Sequence, residues 1–200
     1  MRLPESLEEI KEIATGPKFR LDVSKYRDGH FRAALEYIIK NERSNPRRAV
    51  EFVYTKEVKA APRPRKGMYG WYNPASKNRK EIQSFLKDVF RKEFGRKAGL
   101  VGGASRITIR LYKPIPKSFT MVQKLLAEMG YLEPEHAPDV DNYSKSIMDA
   151  MIGTVVSDDD IMTKLTIQKL YSAAPRVEVK FLYRALPMLP SDGKKRKKTK

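Results

Sequence analysis

The chain has 200 residues, 40% of them apolar, enough for one compact core with an appendage. Lysine and arginine outnumber the acids 41 to 24, a formal charge of +17 that points to a polyanionic partner. The lack of cysteine excludes disulfides, thiolate zinc sites and cysteine nucleophiles, and no apolar run approaches the roughly 20 residues of a membrane span. Residues 1–30 lack a signal-peptide core, and Glu5, Glu8 and Glu9 are too acidic for a transit peptide, so a soluble cytoplasmic protein is expected.

Residues 1–48 read as helical: Leu7, Ile10 and Ile13 share one face, then Phe31, Leu35, Ile38 and Ile39, with Gly16-Pro17 and Asn45-Pro46 as breaks. Ala49–Thr55 is β-branched and aromatic with alternation, hence a strand. Lys59–Asn73, rich in Pro, Gly, Arg and aromatics, reads as a long basic loop without regular structure. Ala75–Gly95 is expected as a helix turning Ile82, Phe85, Leu86, Val89 and Phe90 inward, and Arg106–Tyr112 alternates as a strand. Ser118 is placed to cap a helix reaching Gly130. Asp141–Ile152 reads as another helix, and Lys164–Leu170 with Arg176–Tyr183 as an antiparallel strand pair. The expected fold is α+β, a mainly four-stranded mixed sheet (49–55, 106–112, 164–170, 176–183) flanked by helices. Residues 1–48 form a helical extension, 49–185 the main domain and 186–200 a disordered basic tail.

Charge is unevenly placed. Residues 61–80 hold +6 and residues 191–200 hold +5, yet residues 131–160 contain eight acids and the single base Lys145. Carboxylates gathered within a chain built for polyanions are reconciled by a divalent cation, which hard oxygen ligands favour and which bridges to phosphate. Asp139 and Asp141 are two apart, so in extended chain their carboxylates point the same way. Asp141, Lys145 and Asp149 fall on one helical stripe, with Tyr143, Ile147, Ala150 and Met151 opposite. Gly153 permits a turn after which Asp158-Asp159-Asp160 is expected to fold back on the first pair. Three carboxylates and a cation suit in-line phosphoryl displacement.

The run PDVDNYSKSIMDAMIG…SDDD resembles the RusA family of Holliday-junction resolvases, whose signature is Pro-Asp-x-Asp-Asn-x-x-Lys, then Asp-Ala-Leu-like residues, Gly and paired Asp. Pro114–Phe119 (PIPKSF) and the closing PRVEVKFLY are similar to further segments of that family, so the resemblance spans residues 49–185. It implies metal carboxylates at Asp139, Asp141 and Asp159, with Asp158 as neighbour, and an essential lysine at Lys145. It also implies a Mg²⁺-dependent homodimer, with Mn²⁺ as substitute, cutting opposed strands of a four-way DNA junction in a bacterial or phage-infected cell. Arg63, Arg65, Lys66, Lys77, Lys113 and Lys117 are the expected phosphate contacts.

Blander roles stand beside these. Asp141 alone reads as an N-cap, Asp149 as an ion-pair partner of Lys145, Asp160 as a turn residue, and His30 and His136 as solvated loop residues. Trp71 serves either as an anchor of a small core or as a stacking wedge. A PD-(D/E)xK nuclease would use Asp139, Glu178 and Lys180, leaving Asp141 and Lys145 idle. A non-catalytic DNA-binding protein accounts for the net charge but not for the acidic cluster.

Overall fold

Alternating apolar residues lay down the strands of this chain, and 3.6-residue periodicity its helices. The structure, a computed structural model, describes residues 3–16, 22–56, 58–60, 65–68, 70–72, 76–95 and 99–187, with 65–67, 70–72, 76 and 77 described through the backbone. Arg63 and most of the 186–200 tail lie outside the described residues.

The chain falls into two units, residues 1–47 and 48–200. In the first, Ser6 accepts the Glu9 N–H at 3.1 Å to start α1 (Leu7–Thr15), and α2 (Asp28–Ser44) follows a 3-10 turn at Val23–Lys25. The expected apolar stripe is only partly used: Ile10 is buried, whereas Ile13 and Ile39 are exposed. His30, expected in a loop, lies in the first turn of α2, where its Nδ1 accepts the Arg27 N–H at 3.0 Å.

The second unit runs β1 (Arg48–Tyr54), β2 (Arg65–Gly67), β3 (Gly70–Tyr72), α3 (Ser76–Phe94), β4 (Ser105–Pro114), α4 (Met121–Glu128), α5 (Val140–Met151), β5 (Met162–Ser172) and β6 (Arg176–Tyr183). This is the expected α+β architecture, with a four-stranded mixed sheet in the order β1-β6-β4-β5.

Three expectations are corrected. The stretch read as irregular holds a hairpin: β2 and β3 pair antiparallel, with Gly67 opposite Gly70 where the chain reverses. The fourth helix starts two residues later than expected, since Thr120 rather than Ser118 accepts the Gln123 N–H. Most consequentially, β5 and β6 do not pair. β6 lies antiparallel between β1 and β4, and β5 runs parallel to β4 on its far side. The physical reason is burial. β4 and β6 bury every second residue and take the centre, whereas β5, of which only Ser172 is fully buried and which carries Lys164 and Lys169, suits an edge. A parallel β4–β5 pair needs a crossover, which α4 and α5 supply.

One sheet face carries α3 and α5. Ile82, Leu86 and Phe90 from α3 and Ile147, Ala150 and Met151 from α5 share a core with Ile107, Ile109, Val179 and Phe181. Gly95, at φ 81°, closes α3 as expected. Strand alternation turns Glu51, Arg106, Arg110, Glu178 and Lys180 to the opposite face.

Candidate active site

The N-terminus of α5 gathers the residues singled out by spacing. Asp139, not Asp141, is its N-cap, and makes no side-chain cap hydrogen bond; Asp141 lies in the first turn. Lys145 follows one helical turn on. All three are exposed, and among the described residues none of their side-chain charges has a hydrogen-bond or ion-pair partner. Their charges are therefore not consumed by the fold. Lys145 and Asp149 form no ion pair among the described residues, which removes the intrahelical role considered for both.

The inner side of α5 explains why this end is held still. Tyr143 and Ile147 are buried, and the Ser144 hydroxyl donates to the Asp141 carbonyl at 2.7 Å. The Ser146 hydroxyl donates to the Lys59 carbonyl at 2.8 Å, and the Asn78 amide of α3 donates to the same oxygen at 3.2 Å. The root of the basic hairpin segment is thereby pinned to α3 and α5 together. Lys169, which spacing did not single out, fixes the other side. Its Nζ donates to the carbonyls of His136 (3.1 Å) and Pro138 (3.2 Å), on the segment that delivers Asp139.

Asp158–Asp160 is at the far end of the helix. Val101 N–H donates to the Val155 carbonyl at 2.8 Å and Ser157 N–H to the Val101 carbonyl at 3.0 Å, which holds this segment beside the start of β4. Asp158 caps the 3-10 turn Asp159–Ile161, accepting the Asp159 N–H at 2.8 Å, and β5 begins at Met162. The Asp159 carboxylate is exposed and without a partner among the described residues.

Two lengths measure the separation. The 12 residues of α5 rise about 18 Å, and β5 advances about 23 Å from Met162 to Lys169, beside which Asp139 enters. The expected fold-back of Asp158–Asp160 onto Asp139 and Asp141 is thus not made within one chain, and among the described residues no three acidic or imidazole side chains converge on a cation site.

The expected phosphate contacts divide. Lys113 is half-buried near the end of β4 and Lys117 is exposed just beyond it. Burial, then the neighbouring charge of Lys169, holds the Lys113 ammonium below the usual lysine pKa. Arg65, Lys66 and Trp71 are placed on the hairpin and Lys77 in the first turn of α3, through the backbone.

The PD-(D/E)xK arrangement is not formed. Glu178 accepts from Arg176 Nε at 2.8 Å and from the Tyr112 hydroxyl at 3.2 Å, and Lys180 pairs with Glu51. Both residues lie on the sheet face away from α5.

Two comparisons bear on this geometry. Residues 55–181 match the family model described as endodeoxyribonuclease RusA. Over 82 residues the chain is 39% identical to the "Uncharacterized protein YqaN" of Bacillus subtilis (strain 168), a match covering 40% of this chain and 58% of that relative's length.

Proposed function

This chain belongs to the RusA endodeoxyribonuclease family, and from that premise we propose that it is a divalent-metal-dependent endonuclease that resolves four-way DNA junctions by paired phosphodiester cuts. The observation that carries the reading is the free acidic end of α5: Asp139 and Asp141 exposed, unpaired among the described residues, one helical turn from Lys145.

The donor set suits the cation. Mg²⁺ takes hard oxygen ligands and is commonly held by one or two carboxylates together with substrate phosphates, so Asp139 and Asp141 fit it, and Mn²⁺ accepts the same ligands. When bound, such a cation supplies Lewis-acid stabilisation of the phosphoryl oxygens and a more acidic water. The protein's share is electrostatic and geometric. Asp139 and Asp141 hold negative charge where a phosphodiester would otherwise be repelled, and Lys145 supplies a cation for charge developing on the phosphate oxygens. Lys169 keeps the segment leading into Asp139 in place, so the carboxylates need not reorganise during the reaction.

The third carboxylate, Asp159, supports a two-fold homodimer. Since it sits at the other end of α5 from Asp139, its joining the site calls for a second protomer. A pair of such sites matches the symmetry of a four-way junction and the need for opposed cuts. The basic hairpin, Lys113 and Lys117 supply sequence-independent phosphate affinity, in keeping with action on DNA in a bacterial or phage-infected cell. Among the described residues no helix is long and apolar enough to cross a membrane.

The test uses the purified chain with a synthetic four-way junction and a matched duplex, with and without Mg²⁺. Symmetric nicking of the junction alone, dependent on the cation and lost in Asp139→Asn, is expected. Metal-independent binding with no cleavage would show a non-catalytic DNA-binding protein instead.

A further inference from the structure

Where β1 and β4 end and β6 begins, the second unit encloses a cavity of about 120 Å³ against the first turns of α5. Val58 and Tyr143 line it from within, and Lys56, Lys113 and Arg176 bring positive charge to it. Arg176 is already engaged: Glu178 neutralises it, and its guanidinium lies 3.7 Å from the centre of the Tyr112 ring. Lys56 and Lys113 have no ion-pair or hydrogen-bond partner among the described residues.

Register brings a further lysine close to Lys113. Lys113 is two residues beyond Leu111 on the helix-bearing face of β4, and Leu111 is paired with Lys169 of β5. Lys169 spends donors on the carbonyls of His136 and Pro138, immediately before Asp139. Two ammonium groups thus share a partly desolvated corner beside the entry to α5, and an anion is the ligand that balances them. Lysine grips phosphate oxygens as a point charge without reading a base, and the cavity has room for a phosphate group.

We propose that Lys56 and Lys113 form a subsite at this cavity for one backbone phosphate of the DNA strand, beside the phosphate addressed by Asp139 and Asp141, with Lys169 as the positioning residue that ties the two together. The subsite rests on the nuclease reading above for its DNA strand, and it assigns Lys56 and Lys169 roles that the acidic motif does not contain.

Binding is measured without Mg²⁺, so chemistry is silent, using four-way junctions in which each phosphate near the cut is replaced in turn by a neutral methylphosphonate. One position is expected to weaken the wild-type protein and leave Lys113→Met indifferent, with the salt slope of that variant shallower by about 1. Lys56→Met should behave alike. Lys113→Met should melt no lower than wild type, because it removes a half-buried cation, so misfolding is separable from lost contact. With Mg²⁺, Lys169→Arg should retain cleavage, whereas Lys169→Met lowers turnover at an unchanged salt slope. Equal sensitivity of wild type and Lys113→Met to every neutral phosphate would overturn the subsite. A wild-type protein that binds junctions but never cuts them would overturn the nuclease reading, and the phosphate scan would still report on the subsite.

Discussion

Asp139 and Asp141 face water at a helix N-terminus where Asp139 makes no side-chain cap hydrogen bond, and the proposed cation gives these two hard-oxygen donors a role there. Asp139→Asn and Asp141→Asn should each lower cleavage at least about 100-fold, since several kcal/mol of transition-state stabilisation is at stake and 1.36 kcal/mol is tenfold. Junction affinity should hold or rise, because lysine and arginine elsewhere carry it. Single-turnover rates beside filter binding check both, and wild-type rates in either variant would defeat the assignment. Lys113 gives the opposite pairing of effects with pH. Its pKa is lowered from 10.5 by burial first and Lys169 second, so in the window just below 10.5 the unfolded chain holds a proton that the folded one has released. Stability from this group therefore rises with pH through that window, while its phosphate contact fades. Melting and binding profiles from pH 8 to 10.5 should diverge in wild type and lose that divergence in Lys113→Met. The acidic pair was legible in sequence because both members sit in one short motif. Lys169 was not, because its partners are backbone carbonyls 31 and 33 residues away.

Among the elements, helices were read closely and strand partners were not. The stripe on α3 and the inward face of α5 depend on local spacing, and both are buried as expected. Pairing depends on distant segments: nothing within residues 162–183 says that β4 lies between β5 and β6. The 173–175 turn reads like a hairpin loop, yet it carries the chain past the end of β4. The hairpin of β2 and β3 escaped notice because three-residue strands are too short to show alternation. One joint at the base of the sheet is open to test. Gly103 N–H donates to the Arg184 carbonyl at 3.2 Å, and a Cβ at residue 103 would sit 2.6 Å from that oxygen and within 2.2 Å of the Leu186 carbonyl oxygen. Both contacts are backbone and cannot rotate away. Gly103→Ala should therefore cost about 2–3 kcal/mol, typical of overpacking, and a denaturant midpoint equal to wild type would contradict it.

For the molecule as a whole, the two acidic segments stand at opposite ends of α5, and that separation decides how active sites can be assembled. If Asp159 completes the site of its partner, each site of a homodimer draws Asp139 from one chain and Asp159 from the other. Asp139→Asn and Asp159→Asn proteins, each inactive alone, then complement on mixing. The heterodimer pairs intact Asp139 of one chain with intact Asp159 of the other at one site, and both substitutions collect at the second. Random exchange makes about half of the dimers mixed, each carrying one working site. The expected product is a junction nicked on one strand and left unresolved, appearing only after the two proteins are mixed and equilibrated. Were all three carboxylates to act within a chain, every site in the mixture would lack one ligand and no nick would form. Sedimentation of the wild-type chain as a monomer, both free and on the junction, would refute the dimer as well.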